Sequence, residues 1–153
     1  MRQLTERPVW LGLVVAIALS VGGCYGNNAP GPTPGSMDDV IANIVLQDVT
    51  VLHLTSGDPG CPTSSLHDNA VHLTLAIGAQ STANEVYLLR WKNQAEFDDG
   101  ADDFAACVDE YRALNSTLQV GTLDSAPWRA YGPSLSGPIG VIVFNALRGA
   151  GGG

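Results

Sequence analysis

The sequence predicts an α+β domain: a single, mostly antiparallel sheet of about four strands with helices on one face. Short runs of β-branched or alternating apolar residues, typical of strands, lie between residues 48 and 91 and are separated by turn-forming residues. Apolar residues at helical spacing precede and follow that group. Since a sheet buries its apolar face against helices, we expect the element order α-β-β-β-α-β-α.

The first predicted elements are a helix over 37–46 and a strand over 48–55. Ser36 is a suitable N-cap, and Asp38 and Asp39 lie in the first helical turn, where the helix dipole favours acids. The strand is rich in β-branched residues, and the turn residues that follow it, at 58–60, end it.

Two further strands are predicted over 71–77 and 85–91. In the first, four apolar residues alternate with His72 and Thr74, as in a half-buried strand. We therefore expect His72 to face solvent.

The last predicted elements are a helix over 94–114, a strand over 117–124 and a short element over 139–147. The long helix carries an apolar stripe, and Gly100 in its middle indicates a close contact with a neighbouring element. Residues 139–147 fit a helix or a strand, since their periodicity does not separate the two. Residues 149–153 are Gly-rich and predict a flexible tail.

Residues 1–23 predict a secretory signal peptide. Arg2 and Arg7 give a basic start, and residues 9–21 form an uncharged apolar run. As a helix this run reaches about 20 Å, short of the roughly 30 Å hydrocarbon core. A buried helix would need a polar stripe, which the run lacks.

The end of this leader reads Val21-Gly22-Gly23-Cys24. It resembles the lipobox of bacterial lipoprotein precursors, with an aliphatic residue, two small residues and a cysteine. The resemblance implies cleavage before Cys24, a diacylglycerol thioether on its thiol and acylation of the new amine. Two or three acyl chains hold a protein durably at a bilayer.

The chain has three cysteines, an odd number that leaves one thiol unpaired in an exported protein. Lipidation of Cys24 would leave Cys61 and Cys107 as an even pair, so the lipoprotein resemblance implies a disulfide between them. The part after the leader also resembles small bacterial lipoproteins with a Gly-Asp-x-Gly-Cys turn and a Cys-bearing helix, a likeness that implies no activity.

Residues 24–36 predict an extended tether, because Pro30, Pro32 and Pro34 alternate with small residues. The single α+β domain is then expected over 37–148. Removing 1–23 deletes two of the seven basic and one of the fifteen acidic side chains. Five basic and fourteen acidic side chains remain, which gives a net charge near −9. Since the remaining basic residues do not cluster, nucleic acid is excluded as a partner.

Three histidines and an acidic run are candidate metal sites. His53, His67 and His72 show no H-x-H or H-x-x-x-H spacing, and the acidic residues at 96–103 do not match the ligand positions of an EF-hand loop. Surface histidines and a solvated helix face account for both patterns.

Residues 126–133 predict a loop whose side chains are typical of binding sites. Trp128, Arg129 and Tyr131 are residue types that anchor binding interfaces, so they are a candidate binding patch. The alternative, which a domain this small favours, is that their rings cover the open edge of the core.

The sequence therefore favours a lipid-anchored domain on the extracytoplasmic side of a cell-envelope membrane, serving binding, assembly or structure without a cofactor or metal. Its expected partners are the membrane, through the anchor, and an envelope protein or small molecule. The alternative is a small hydrolase or metal-dependent enzyme that uses His67, Asp68 and His72.

Overall fold

A computed structural model describes residues 35–79 and 82–151. The predicted signal peptide, the lipobox with Cys24 and the tether up to residue 34 lie outside the described residues. Within them, no helix is long and apolar enough to cross a membrane.

The described chain contains helices and strands in an α+β arrangement. The α-helices are α1 (Met37–Val45), α2 (Gln94–Asp99), α3 (Ala101–Leu114) and α4 (Pro138–Ala150). The strands are β1 (Val49–Ser56), β2 (Ala70–Ile77), β3 (Asn84–Arg90), β4 (Gly121–Ser125) and β5 (Trp128–Gly132), and a 3₁₀ helix, Ser64–Asn69, lies between β1 and β2.

The five strands form one sheet in the order β1-β2-β3-β5-β4, and every neighbouring pair is antiparallel. This confirms the predicted fold class, with one strand more than expected. The additional strand is β5, in the segment predicted as a loop. All five of its residues are buried, so β5 lacks the alternation of polar and apolar residues by which a half-buried strand is recognised.

Helices cover both faces of the sheet, so the prediction of helices on one face is wrong. Val86 and Leu88 of β3 belong to the core under α1 and α4. Tyr87 and Leu89 belong to a second core with α3. Because successive side chains of a strand point to opposite faces, these two cores lie on opposite sides of the sheet.

The first core is aliphatic and includes Val40 and Ile44 of α1 and Val143 and Leu147 of α4. Ser36 caps α1 as predicted, and Asp39 completes a reciprocal capping box. The segment 139–147, left open between helix and strand, is helical. That helix continues through Ala150, so residues 149 and 150 of the predicted tail are helical, and residues 152 and 153 lie outside the described residues.

The second core is aromatic. Here the helix predicted over 94–114 is interrupted at Gly100, which is the C-cap of α2 and the N-cap of α3. A Cβ atom at Gly100 would overlap the indole ring of Trp91. The close contact expected at this glycine is therefore present.

A disulfide joins Cys61, in the loop after β1, to Cys107 of α3, with an S–S distance of 1.99 Å and a Cα–Cα distance of 5.4 Å. It fixes α3 to that loop across 46 residues of sequence. The predicted pairing is confirmed.

Candidate functional site

A cleft of about 390 Å³ lies where three strands end, and we call it the strand-end cleft. The residues that line it are Met37, Ser56, Asp68, Asn69, Ala70, Val71, Arg90, Trp91 and Lys92. A second cleft of about 360 Å³, beside the start of α4, is lined by uncharged residues alone.

The antiparallel register explains why these residues meet. Ser56, the last residue of β1, pairs with Val71 near the start of β2. Ala70 pairs with Leu89, next to Arg90 at the end of β3. One end of the sheet therefore brings together the end of β1, the start of β2 and the end of β3. Met37, at the start of α1, borders this end.

Three side chains give the strand-end cleft its charge: Arg90, Lys92 and Asp68. None of them forms an ion pair within the described part of the chain. The guanidinium carbon of Arg90 lies 5.3 Å from the ring centroid of Trp128, and its Nε is buried with no hydrogen-bond partner among the described residues. The cleft is thus bordered by two cations and one carboxylate that form no ion pair with any described residue.

Arg90 also acts on the capping box of α1. The backbone N–H and the hydroxyl of Ser36 donate to Oδ2 of Asp39 at 2.6 and 2.9 Å and hold the pKa of this carboxyl below its ordinary value. The positive charge of Arg90 lowers the same pKa further.

His72 lies on the expected face of β2, but only 22% of its side chain is exposed, so it is not free in solvent as predicted. Its Nδ1 is 3.1 Å from Oδ2 of Asp58, and its Nε2 contacts Oε2 of Glu85. The imidazole stacks on Tyr87 with a centroid distance of 4.3 Å. This face of the sheet is covered by the second core, which the prediction of one-sided helices omitted.

The stack continues inward to form an aromatic column of His72, Tyr87 and Tyr131. The two phenol rings are 4.8 Å apart at 16°, and Tyr111 meets both edge-on. Burial is the main reason that the pKa of Tyr87, Tyr111 and Tyr131 is raised above the ordinary value. The three phenols are therefore packed in their neutral form.

The turn after β1 closes over this column. The carboxylate of Asp58 accepts from the backbone N–H of Gly60 at 2.9 Å, and the hydroxyl of Tyr131 donates to the carbonyl of Pro59. Gly60 has a φ of 73°, and a Cβ there would overlap Tyr87 and Tyr131. The Gly-Asp-x-Gly-Cys turn is thus fixed by His72, the column and the disulfide.

The three residues of the enzyme alternative do not come together. Asp68 lines the strand-end cleft, whereas His67 is exposed on the 3₁₀ helix and His72 is held by Asp58 and Glu85. Within residues 35–79 and 82–151, no group of three or more His, Cys, Asp or Glu side chains is placed to hold a metal ion.

The candidate patch of Trp128, Arg129 and Tyr131 is buried, with exposed fractions of 0%, 6% and 0%, so it is not a binding surface. Arg129 lies among aromatic rings, 5.1, 3.9 and 5.4 Å from those of Trp91, Phe97 and Phe104. Its Nε is 3.3 Å from Oδ1 of Asp124, and its Nη1 has no hydrogen-bond partner in the described part of the chain.

Sequence reasoning missed the cleft residues Ser56, Asn69, Arg90 and Lys92. The available signal was the position of Arg90 and Lys92 directly after a predicted strand. Using it required the strand register, which places Arg90 beside the start of β2.

No family model matches the chain, and neither curated proteins nor solved structures gave a match.

Proposed function

We propose that this protein is an exported, lipid-anchored domain of the cell envelope that acts as a ligand-binding module. The proposal depends above all on the junction Val21-Gly22-Gly23-Cys24, which follows an uncharged apolar run and resembles a lipobox. In this proposal the acylated Cys24 anchors the chain, and residues 25–36 tether the domain.

The disulfide supports export. Structural disulfides persist in oxidising compartments and are rare in the cytosol. Since Cys61 and Cys107 are bonded to each other, Cys24 has no other cysteine of this chain as a partner. Lipidation requires a cysteine that is not part of a disulfide.

The strand-end cleft supports binding. Its volume of about 390 Å³ lies within the range of small-molecule sites, and its three charged side chains have no ion-pair partner among the described residues. The second cleft offers no charge.

Lipidation is tested by mass analysis and detergent-phase partition of the protein expressed in a bacterial host. We expect a mature chain that begins at Cys24, carries acyl groups and enters the detergent phase. Cys24→Ser should carry no acyl groups and should not be cleaved before residue 24, whereas the matched control Ser20→Ala should be processed as the wild type is. An unmodified Cys24 thiol in the wild-type protein would contradict the proposal.

A further inference from the structure

We propose that the strand-end cleft binds a small zwitterion of the α-amino-acid class, with a carboxylate and an ammonium group on one carbon. This inference rests on the proposed binding function and names the ligand class.

The first argument is the distribution of positive charge. The described residues contain five basic side chains, Arg90, Lys92, Arg112, Arg129 and Arg148, in a chain with a net charge of −8. Arg129 is buried, so two of the four outward-lying cations line this one cleft. Although the domain is acidic, the two cations at the strand-end cleft attract the carboxylate of a ligand.

The second argument is that Arg90 is held in place. Its guanidinium carbon lies 5.3 Å from the ring centroid of Trp128, which is fully buried, so a cation–π contact restrains the side chain. Neither Arg90 nor Lys92 forms an ion pair within the described residues. The carboxylate of Asp39 feels the charge of Arg90 but accepts its hydrogen bonds from Ser36, so a carboxylate on the ligand can form charge-assisted hydrogen bonds with Arg90.

The third argument is Asp68, which borders the same cleft without an ion-pair partner among the described residues. A ligand with only negative charge would be repelled by this carboxylate, whereas an ammonium group would be attracted. Ser56 and Asn69 add neutral hydrogen-bonding groups beside it. The cleft therefore matches a ligand of both charges.

The remaining wall is apolar. Met37, Ala70 and Val71 line the cleft beside the polar groups, so an aliphatic side chain has a surface to cover. L-leucine combines the three features and is the probe of choice.

Isothermal titration of the full chain in detergent tests the inference with four probes: L-leucine, N-acetyl-L-leucine, L-leucine methyl ester and inorganic phosphate. We expect leucine to bind best. The methyl ester lacks the carboxylate and N-acetyl-leucine lacks the ammonium group, so each should bind about tenfold more weakly or worse. Phosphate binding as tight as leucine binding, or no leucine binding at millimolar concentration, would overturn the inference.

Substitutions of the charged cleft residues test which of them contact leucine. Arg90→Gln and Lys92→Gln should weaken leucine binding while the matched control Arg148→Gln leaves it unchanged. Lys92 is exposed, so its variant remains informative if Arg90→Gln does not fold. Asp68→Asn should bring leucine and N-acetyl-leucine to similar affinity, and a persistent difference would count against the role of Asp68.

Cys24→Ser separates this inference from the proposed anchor. This variant should bind leucine as the wild type does, even though it carries no acyl groups. In the wild-type protein, absence of leucine binding with an acylated Cys24 contradicts only the ligand assignment, whereas leucine binding with an unmodified Cys24 contradicts only the anchor.

Discussion

The imidazole ring of His72 lies parallel to the phenol ring of Tyr87, with 4.3 Å between centroids and 14° between planes. The same imidazole reaches Asp58 in the turn after β1 and Glu85 at the start of β3. One side chain of β2 thus joins a loop, a neighbouring strand and the aromatic column. Its removal should therefore lower the free energy of unfolding.

His72→Ala should reduce the free energy of unfolding by about 1–2 kcal/mol, because a ring stack and two hydrogen bonds to carboxylates are lost. His72→Phe keeps the stack and should lose less. Urea unfolding followed by far-UV circular dichroism measures both. A change below about 0.5 kcal/mol for the alanine variant would show that His72 behaves as an ordinary surface residue.

Gly60→Ala should destabilise the protein by roughly 2–5 kcal/mol, since a Cβ there meets Tyr87 and Tyr131 and the backbone φ is 73°. Gly57→Ala is the matched control. Its φ is 78°, but the nearest neighbour of a Cβ is 3.8 Å away, so only backbone strain of about 1–2 kcal/mol is expected. Equal losses in thermal unfolding would argue against the packing of the turn on the column.

Alkaline pH should unfold the protein because its buried tyrosine hydroxyls ionise. The pKa of Tyr87, Tyr111 and Tyr131 is raised in the fold, so the unfolded chain releases these protons first. Stability is therefore complete below the ordinary phenol pKa of about 10 and falls as the pH rises above it. Phenolate absorbance near 295 nm should rise together with the loss of circular dichroism. Ionisation of all tyrosines near pH 10 in a folded protein would contradict this.

Arg129→Ala should cost about 2–4 kcal/mol, because it empties the space between Trp91, Phe97 and Phe104 and removes a cation–π contact. Arg129→Met keeps most of the packing volume and removes a buried cation whose Nη1 has no partner, so its loss should stay within about 1.5 kcal/mol. Chemical unfolding of the two variants compares them directly. A methionine variant as unstable as the alanine variant would show that the charge, rather than the packing, is what matters.

Local signals were sufficient for much of the fold. Ser36, Asp38 and Asp39 marked the start of α1 to the residue, and alternation identified β2. The apolar stripe of residues 94–114 continues across Gly100 and so predicts one helix. The interruption lies at Gly100, where a Cβ would overlap Trp91, and helical periodicity does not report such a contact.

The remaining features depend on tertiary contacts. The β5 segment, between Pro127 and Pro133, is buried on both faces and so has no pattern that separates a strand from a loop. The environment of His72 follows from the second helical layer, and the strand-end cleft follows from the register of three strands. The periodicity of a single segment reports neither which helices pack on the sheet nor how its strands are paired.

The backbone N–H of Gly35 donates to the carbonyl of Ala150 at 2.6 Å, so the chain enters and leaves the domain at nearly the same point. A host protein could therefore accept residues 35–151 as an insert within one of its surface loops, with little separation of the loop's ends. For the same reason, a short splice from residue 151 to residue 35 would make a circular permutant, with new ends opened elsewhere on the surface.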